Sequence, residues 1–171
     1  MKLVKPSVKH RESFLAAAEE LRNDTSRKYG AEAEVIAETF DKYVKMLEDY
    51  SKGVNLPTDY VPSTDYWLVD VNEYIGRVTI RHRLNESLEK LGGHIGYTIR
   101  PSKRTLGYGT KMLEIALPKA KKLRLEKVLL MCDKTNIASA KIIEKNGGKF
   151  QDEQEQGKGK PPKLRYWIIL E

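Results

Sequence analysis

The segment from His94 to Leu123 constrains this chain more than any other. An apolar run, His94 to Arg100, ends at Pro101, and Arg104-Thr105-Leu106-Gly107-Tyr108-Gly109 follows. Thr110 then opens a pattern of helical period in which Met112, Leu113, Ala116, Leu117 and Ala120 share one face. Glycines at such a strand-to-helix junction let the backbone turn sharply and let a ligand approach the main chain. The first N–H groups of the new helix lack intrahelical acceptors, so they form a cradle for an anion such as phosphate. Two other phosphate loops are excluded by the letters. Gly109 is followed by Thr110, not by the Lys that a Gly-x-x-x-x-Gly-Lys-Ser/Thr loop requires. The dinucleotide fingerprint Gly-x-Gly-x-x-Gly needs its third glycine where Met112 stands.

The rest of the chain alternates helix and strand periods around this unit. Met1 to Lys5 reads as a short strand closed by Pro6, and Ser7 caps a helix from about Val8 to Asn23 with Phe14, Leu15, Ala18 and Leu21 on one face. After a polar break from Asn23 to Gly30, a second helix is expected from about Ala31 to Tyr50, its stripe running through Val35, Ile36, Thr39, Phe40, Tyr43, Met46 and Leu47. Gly53 and Pro57 end it. Tyr66 to Val71 and Tyr74 to Leu84 form a hairpin across Asn72-Glu73, and Asn85 to Gly93, a connecting segment with room for one helical turn, leads to the His94 strand.

Pro118 lies inside the helix after the glycines, where it removes one hydrogen bond and is expected to bend or interrupt it. Arg124 stands where a left-handed glycine cap would be usual. Glu126 to Cys132 is a strand apolar enough to be covered on both faces, followed by a helix from Thr135 to Lys145 and strands near Gly148 to Gln154 and Leu164 to Leu170. The linker Gln156 to Pro162 reads as a turn. The order is mixed α/β, and residues 1–171 read as one domain without repeats.

Composition narrows the partners. A chain of 171 residues can bury an ordinary core. The one cysteine, Cys132, rules out an internal disulfide and fits a reducing, cytoplasmic setting. No apolar run approaches the roughly 18 residues of a membrane span, and no secretory leader is visible, so no membrane association is expected. A net charge of +7 favours anionic ligands, while interspersed acidic residues argue against nucleic acid as the main partner. Three scattered histidines and one cysteine give no metal-ligand spacing, so no metal is expected.

A second motif lies downstream: Asn136-Ile137-Ala138-Ser139 opens a helix that ends in Asn146-Gly147-Gly148-Lys149-Phe150. Together with Arg104-x-x-Gly107-x-Gly109 and Ile99 at the strand end, it resembles the acetyl-CoA segments of the GNAT acetyltransferase superfamily. The resemblance implies a GNAT-like fold, a mostly antiparallel twisted sheet of about seven strands flanked by about four helices. It implies acetyl-CoA as co-substrate, with no metal. Its pyrophosphate would rest on the loop Arg104, Thr105, Leu106, Gly107, Tyr108, Gly109 and Thr110. Most of that binding falls to backbone amides from Leu106 to Thr110, with Arg104 reaching a phosphate or shaping the loop. The main chain of Ile99 would pair with the pantetheine arm as an added strand. Asn136 and Ser139 would contact the same arm, although Asn136 reads equally as a helix cap.

The catalytic groups are less legible. Many members place a tyrosine seven residues after the Asn as the acid for the departing thiolate, and here that position is Ile143. His94, on the strand before the loop, is the candidate base; a hydrogen-bonded structural histidine is the alternative, and Tyr97 and His82 are weaker candidates. Cys132 reads as a buried structural thiol. The function implied is N-acetyl transfer from acetyl-CoA to a primary amine of a small molecule or protein, by direct attack in a ternary complex. A catalytically silent acyl-CoA-binding module and a basic RNA- or ribosome-associated protein, the latter from Lys119, Lys121, Lys122, Arg124 and Lys127, are the alternatives. The acceptor is expected between the first two helices and the last two strands, with Glu34, Glu38 and Asp41 as candidate attractors for a cation. Homodimerisation is left open.

Overall fold

The computed structural model describes residues 1–26 and 30–171. Its elements are β1 (Lys2–Val4), α1 (Arg11–Asn23), α2 (Phe40–Lys52), β2 (Ser63–Asp70), β3 (Glu73–Arg81), α3 (Glu86–Leu91), β4 (Ile95–Ile99), α4 (Tyr108–Lys122), β5 (Lys127–Asp133), α5 (Ile137–Lys145), β6 (Lys149–Gln154) and β7 (Lys163–Ile169). The strands form one sheet in the order β1-β2-β3-β4-β5-β7-β6. Neighbours are antiparallel except β4 and β5. The class is mixed α/β as the sequence implies, with α3 as a fifth helix.

Strand alternation divides the core between the two faces. Trp67 and Val69 point into one cluster with Phe14 of α1 and Phe40, Tyr43 and Leu47 of α2. Leu68 points into the other, with Met112, Leu113 and Ala116 of α4 and Ile143 of α5. Phe14 anchors the first cluster. It stacks on Trp67 with ring centroids 4.8 Å apart and meets Tyr74 edge-on at 5.0 Å.

The expected second helix is broken. Ala31–Glu34 form only a 3-10 turn, Val35 is extended, and α2 starts at Phe40. The Arg22 guanidinium donates to the carbonyls of Ala33 (3.0 Å) and Val35 (3.1 Å), which takes these acceptors from any continuing helix. Glu32, meanwhile, turns inward and pairs with Arg77 of β3. Thr39 closes the gap, its hydroxyl accepting the Ile36 N–H at 3.1 Å. The end of α2 is as expected: Gly53 at φ 72° donates to Tyr50 O, and Val54 N–H to Asp49 O.

Three smaller expectations resolve locally. The hairpin turn falls on Val71-Asn72, both at positive φ (43° and 68°), rather than on Asn72-Glu73. Helix α4 runs unbroken through Pro118, because burial of Met112, Leu113, Ala116 and Ala120 outweighs one lost hydrogen bond. Arg124 does take the left-handed conformation, at φ 63°. Within the polar break, residues 27–29 lie outside the described residues. Among the described residues, no helix is long and apolar enough to cross a membrane.

Candidate active site

Parallel strands β4 and β5 pair only at Ile95 and Leu130, whereas β5 pairs with β7 along its whole length. Beyond Ile95 the two strands part, and a cleft of about 860 Å³ opens between them. Its walls are β4 and β5, its floor is α5, and one end is closed by the loop that enters α4. Arg100 N–H donates to Ile75 O at 2.9 Å, so alternation along β4 turns the main-chain groups of Ile99 away from β3 and toward this cleft.

The loop is built by two positive-φ residues, Thr105 at 62° and Gly107 at 82°. A side chain at Gly107 would meet nothing within 4 Å, so its glycine answers the backbone conformation and an open approach. The first bond of α4 runs from Lys111 N–H to Gly107 O at 3.1 Å, which leaves the N–H groups of Tyr108, Gly109 and Thr110 without intrahelical acceptors. Gly109 has a different duty. A Cβ there would stand 2.6 Å from Ile142 Cδ1, so this glycine lets α4 and α5 meet. Arg104 shapes the loop: its Nε donates to Ile99 O at 3.3 Å and its guanidinium pairs with Asp24 at 2.6 Å.

The structure brings most sequence candidates together. Ile99, Arg104, Thr105, Gly107, Gly109, Thr110, Asn136 and Ser139 all line the cleft; Leu106, Tyr108 and His94 do not. Leu106 is exposed, and the Tyr108 hydroxyl donates to Asp70 at 3.3 Å instead. Asn136 caps α5, its side-chain oxygen accepting the Ser139 N–H at 3.1 Å. The Ser139 hydroxyl lies 2.8 Å from the Tyr97 hydroxyl, a bridge from β4 to α5 that the sequence does not reveal. Cys132 also faces the cleft beside Ser139, and burial pushes its thiol up to about 11.

His94 is buried against Leu129 and Trp167. Its Nδ1 accepts the Leu129 N–H at 2.9 Å, and burial, reinforced by Arg81, lowers its pKa to about 4. The neutral ring therefore carries its proton on Nε2 and has no lone pair left for an ammonium proton. This is the structural role, not the geometry of a base. His82 is also turned elsewhere, hydrogen-bonded to Thr64 at 2.9 Å. Ile143, at the position of the family tyrosine, is fully buried in the core.

Glu34, Glu38 and Asp41 are exposed outside the cleft, and Asp41 pairs with Arg11 at 2.9 Å. The buried acids on that face are Glu32 and Asp65, both within reach of Arg77. A charged residue inside the apolar run Tyr74-Ile75-Gly76-Arg77-Val78 was the available signal for them. Sequence reasoning also missed Lys103, Lys141, Lys145 and Lys163 of the cleft wall. Among the described residues, no three His, Cys, Asp or Glu side chains cluster as metal ligands.

A wedge between parting parallel strands, closed by a helix N-terminus, meets the family comparison directly: the model of the acetyltransferase (GNAT) domain matches residues 2–149. The chain belongs to the GNAT acetyltransferases. Solved structures agree in fold. RimL, a ribosomal L7/L12 alpha-N-protein acetyltransferase in complex with coenzyme A, superposes with a TM-score of 0.72 at 17% identity, covering 98% of this chain and 93% of that one. The microcin C7 self-immunity acetyltransferase MccE, with acetyl-CoA and AMP, gives 0.72 at 11% identity over 98% and 91%. A spermidine N-acetyltransferase SpeG variant from Vibrio cholerae gives 0.64 at 17% identity over 99% and 95%. Among curated proteins, none matches this GNAT chain by sequence.

Proposed function

We propose that the cleft binds acetyl-CoA and that a primary amine attacks its thioester carbon directly, without a covalent enzyme intermediate. One observation carries this reading: the β4–β5 wedge offers main-chain groups of Ile99 to a peptide-like arm, and the amides of Gly109 and Thr110 stand at its end for a pyrophosphate. In this reading Asn136 and Ser139 border the arm from α5. The Cys132 thiol, pushed up to about 11, is a poor nucleophile and supports direct transfer over an acyl-cysteine route.

The chemistry needs a proton acceptor for the ammonium and a proton donor for the leaving thiolate. His94 does not supply the first, so the acceptor loses its proton to water and the enzyme contributes positioning. Tyr97 supplies the second through Ser139: the serine hydroxyl gives its proton to the thiolate and takes up the phenol proton of Tyr97, in place of the tyrosine that Ile143 replaces. The acceptor approaches over the α1–α2 face of β4, beside Gly96 and Thr98. The cytoplasm suits an enzyme whose lone Cys132 faces its cofactor.

Acetyl-CoA should stabilise the folded protein by about 2.7 kcal/mol at a hundredfold excess over its dissociation constant. Initial rates with spermidine and with peptides bearing free N-termini should give intersecting double-reciprocal lines. Parallel lines would mean a covalent intermediate, and no thermal shift with acetyl-CoA would remove the reading. Binding without turnover of any amine would favour the silent acyl-CoA module, which Ile143 makes the second reading.

A further inference from the structure

Five cationic side chains line the cleft: Lys103, Arg104, Lys141, Lys145 and Lys163. Three of them are neutralised by the protein itself. Lys103 pairs with Glu73 at 2.7 Å, Arg104 with Asp24 at 2.6 Å, and Lys163 with Asp133 at 2.9 Å. Lys141 and Lys145 make no ion pair among the described residues, although both are on α5 within sight of the cleft. Four residues apart, they stand on one helix face, where like charges repel and weaken the helix.

Their position gives this pair a use. Asn146, the residue after Lys145, donates its side-chain amide to Thr110 O at 3.3 Å, and Ile142 fills the space over Gly109. The turn of α5 that carries Lys141 and Lys145 is thereby held against the first turn of α4. The amides of that turn suit a pyrophosphate, whose charge is spread over two diester-like groups. Two ammonium groups alongside suit a compact dianion, because Lys acts as a point charge for phosphate.

We propose that Lys141 and Lys145 form a phosphomonoester subsite at the outer end of the cleft, which takes the 3′-phosphate of coenzyme A and makes the enzyme select CoA over 3′-dephospho-CoA. The subsite rests on the acetyl-CoA reading above. It predicts that selection arises from charge on α5 and is independent of the amide cradle. The placement of Lys145 in the last turn of α5 also favours the helix dipole. That alone would stabilise the helix without any preference between the two ligands.

Isothermal titration of CoA and of 3′-dephospho-CoA into wild type, Lys141→Met, Lys145→Met and the double variant separates these roles, with melting temperatures as the folding control. Wild type should bind CoA at least tenfold more tightly than 3′-dephospho-CoA. The double variant should lose that factor for CoA, keep its affinity for 3′-dephospho-CoA, and show a shallower salt dependence for CoA. Equal losses for both ligands, or no discrimination by wild type, would overturn the subsite while leaving the acetyl-CoA reading in place. If neither ligand binds wild type, the acetyl-CoA reading itself falls and the subsite with it.

Discussion

His94 Nδ1 accepts the main-chain N–H of Leu129 at 2.9 Å, so the imidazole ties the start of β4 to β5 just where the two strands begin to part. Protonating this ring breaks that bond and places a charge in a buried site beside Arg81. The folded pKa of about 4 lies below the ordinary value of 6.5. Between these values the unfolded chain binds more protons, so stability present above pH 6.5 is lost as pH falls toward 4. Chemical denaturation from pH 7 to pH 4 should show this decline, and His94→Asn should flatten it. Activity should follow a different course: the pH dependence of kcat should keep its shape in His94→Asn. Loss of a titrating limb near neutrality in the variant would restore His94 as the base.

Gly107 and Gly147 make a matched pair for testing the cradle. They have φ of 82° and 85°, and a Cβ at either would meet nothing within 4 Å. Alanine at each should cost about 1 kcal/mol of stability from left-handed strain. Only Gly107 borders the cleft, so Gly107→Ala should weaken acetyl-CoA binding while Gly147→Ala leaves it unchanged. Equal affinities in calorimetry would place the phosphates elsewhere. Gly109→Val is a poorer probe, because its side chain would collide with Ile142 and disturb α5 before any ligand arrived.

The sequence made the cleft legible wherever function is written in the main chain. Glycine spacing, the Pro101 break and the Asn136 cap are local, and each leaves its letters in order along the chain. Side-chain roles were less legible because they depend on partners far away in sequence. His94 looked like a base until Leu129 claimed its Nδ1, and the interrupted second helix depends on Arg22 reaching carbonyls of Ala33 and Val35. Helical period alone could not register that competition. Tyr97 and Ser139 are 42 positions apart, and only the parting of β4 from β5 brings their hydroxyls together.

Glu32 and Arg77 form the buried ion pair that holds the 3-10 turn over the sheet beside the cleft. Glu32 is 1% exposed, and neither carboxylate oxygen has a hydrogen-bond partner beyond the ion pair that Oε2 makes with Arg77. Arg77→Met would strand two buried carboxylates, Glu32 and Asp65, and should destabilise the protein by about 3–5 kcal/mol or more. The combined change Arg77→Met with Glu32→Gln and Asp65→Asn should recover much of that loss. A triple variant no more stable than Arg77→Met alone, in urea titrations, would show that these ion pairs are not the source of the effect.

Ser139 and Tyr97 carry the remaining catalytic prediction. Ile143 has no proton to give, and Ser139 is the hydroxyl on α5 that faces the cleft with a phenol hydrogen-bonded behind it. Ser139→Ala should lower kcat by about 10²-fold, the usual scale of a general acid, and weaken acetyl-CoA binding by a much smaller factor, because Ser139 only borders the arm. Tyr97→Phe should reduce kcat on a similar scale, since it removes the phenol proton that the serine hydroxyl takes up as it protonates the thiolate. Ser139→Thr retains a hydroxyl at the same place and should recover a large part of the loss, an outcome that a purely structural role for the serine would not produce. Undiminished kcat in Ser139→Ala would exclude this hydroxyl as the acid and leave water to protonate the thiolate.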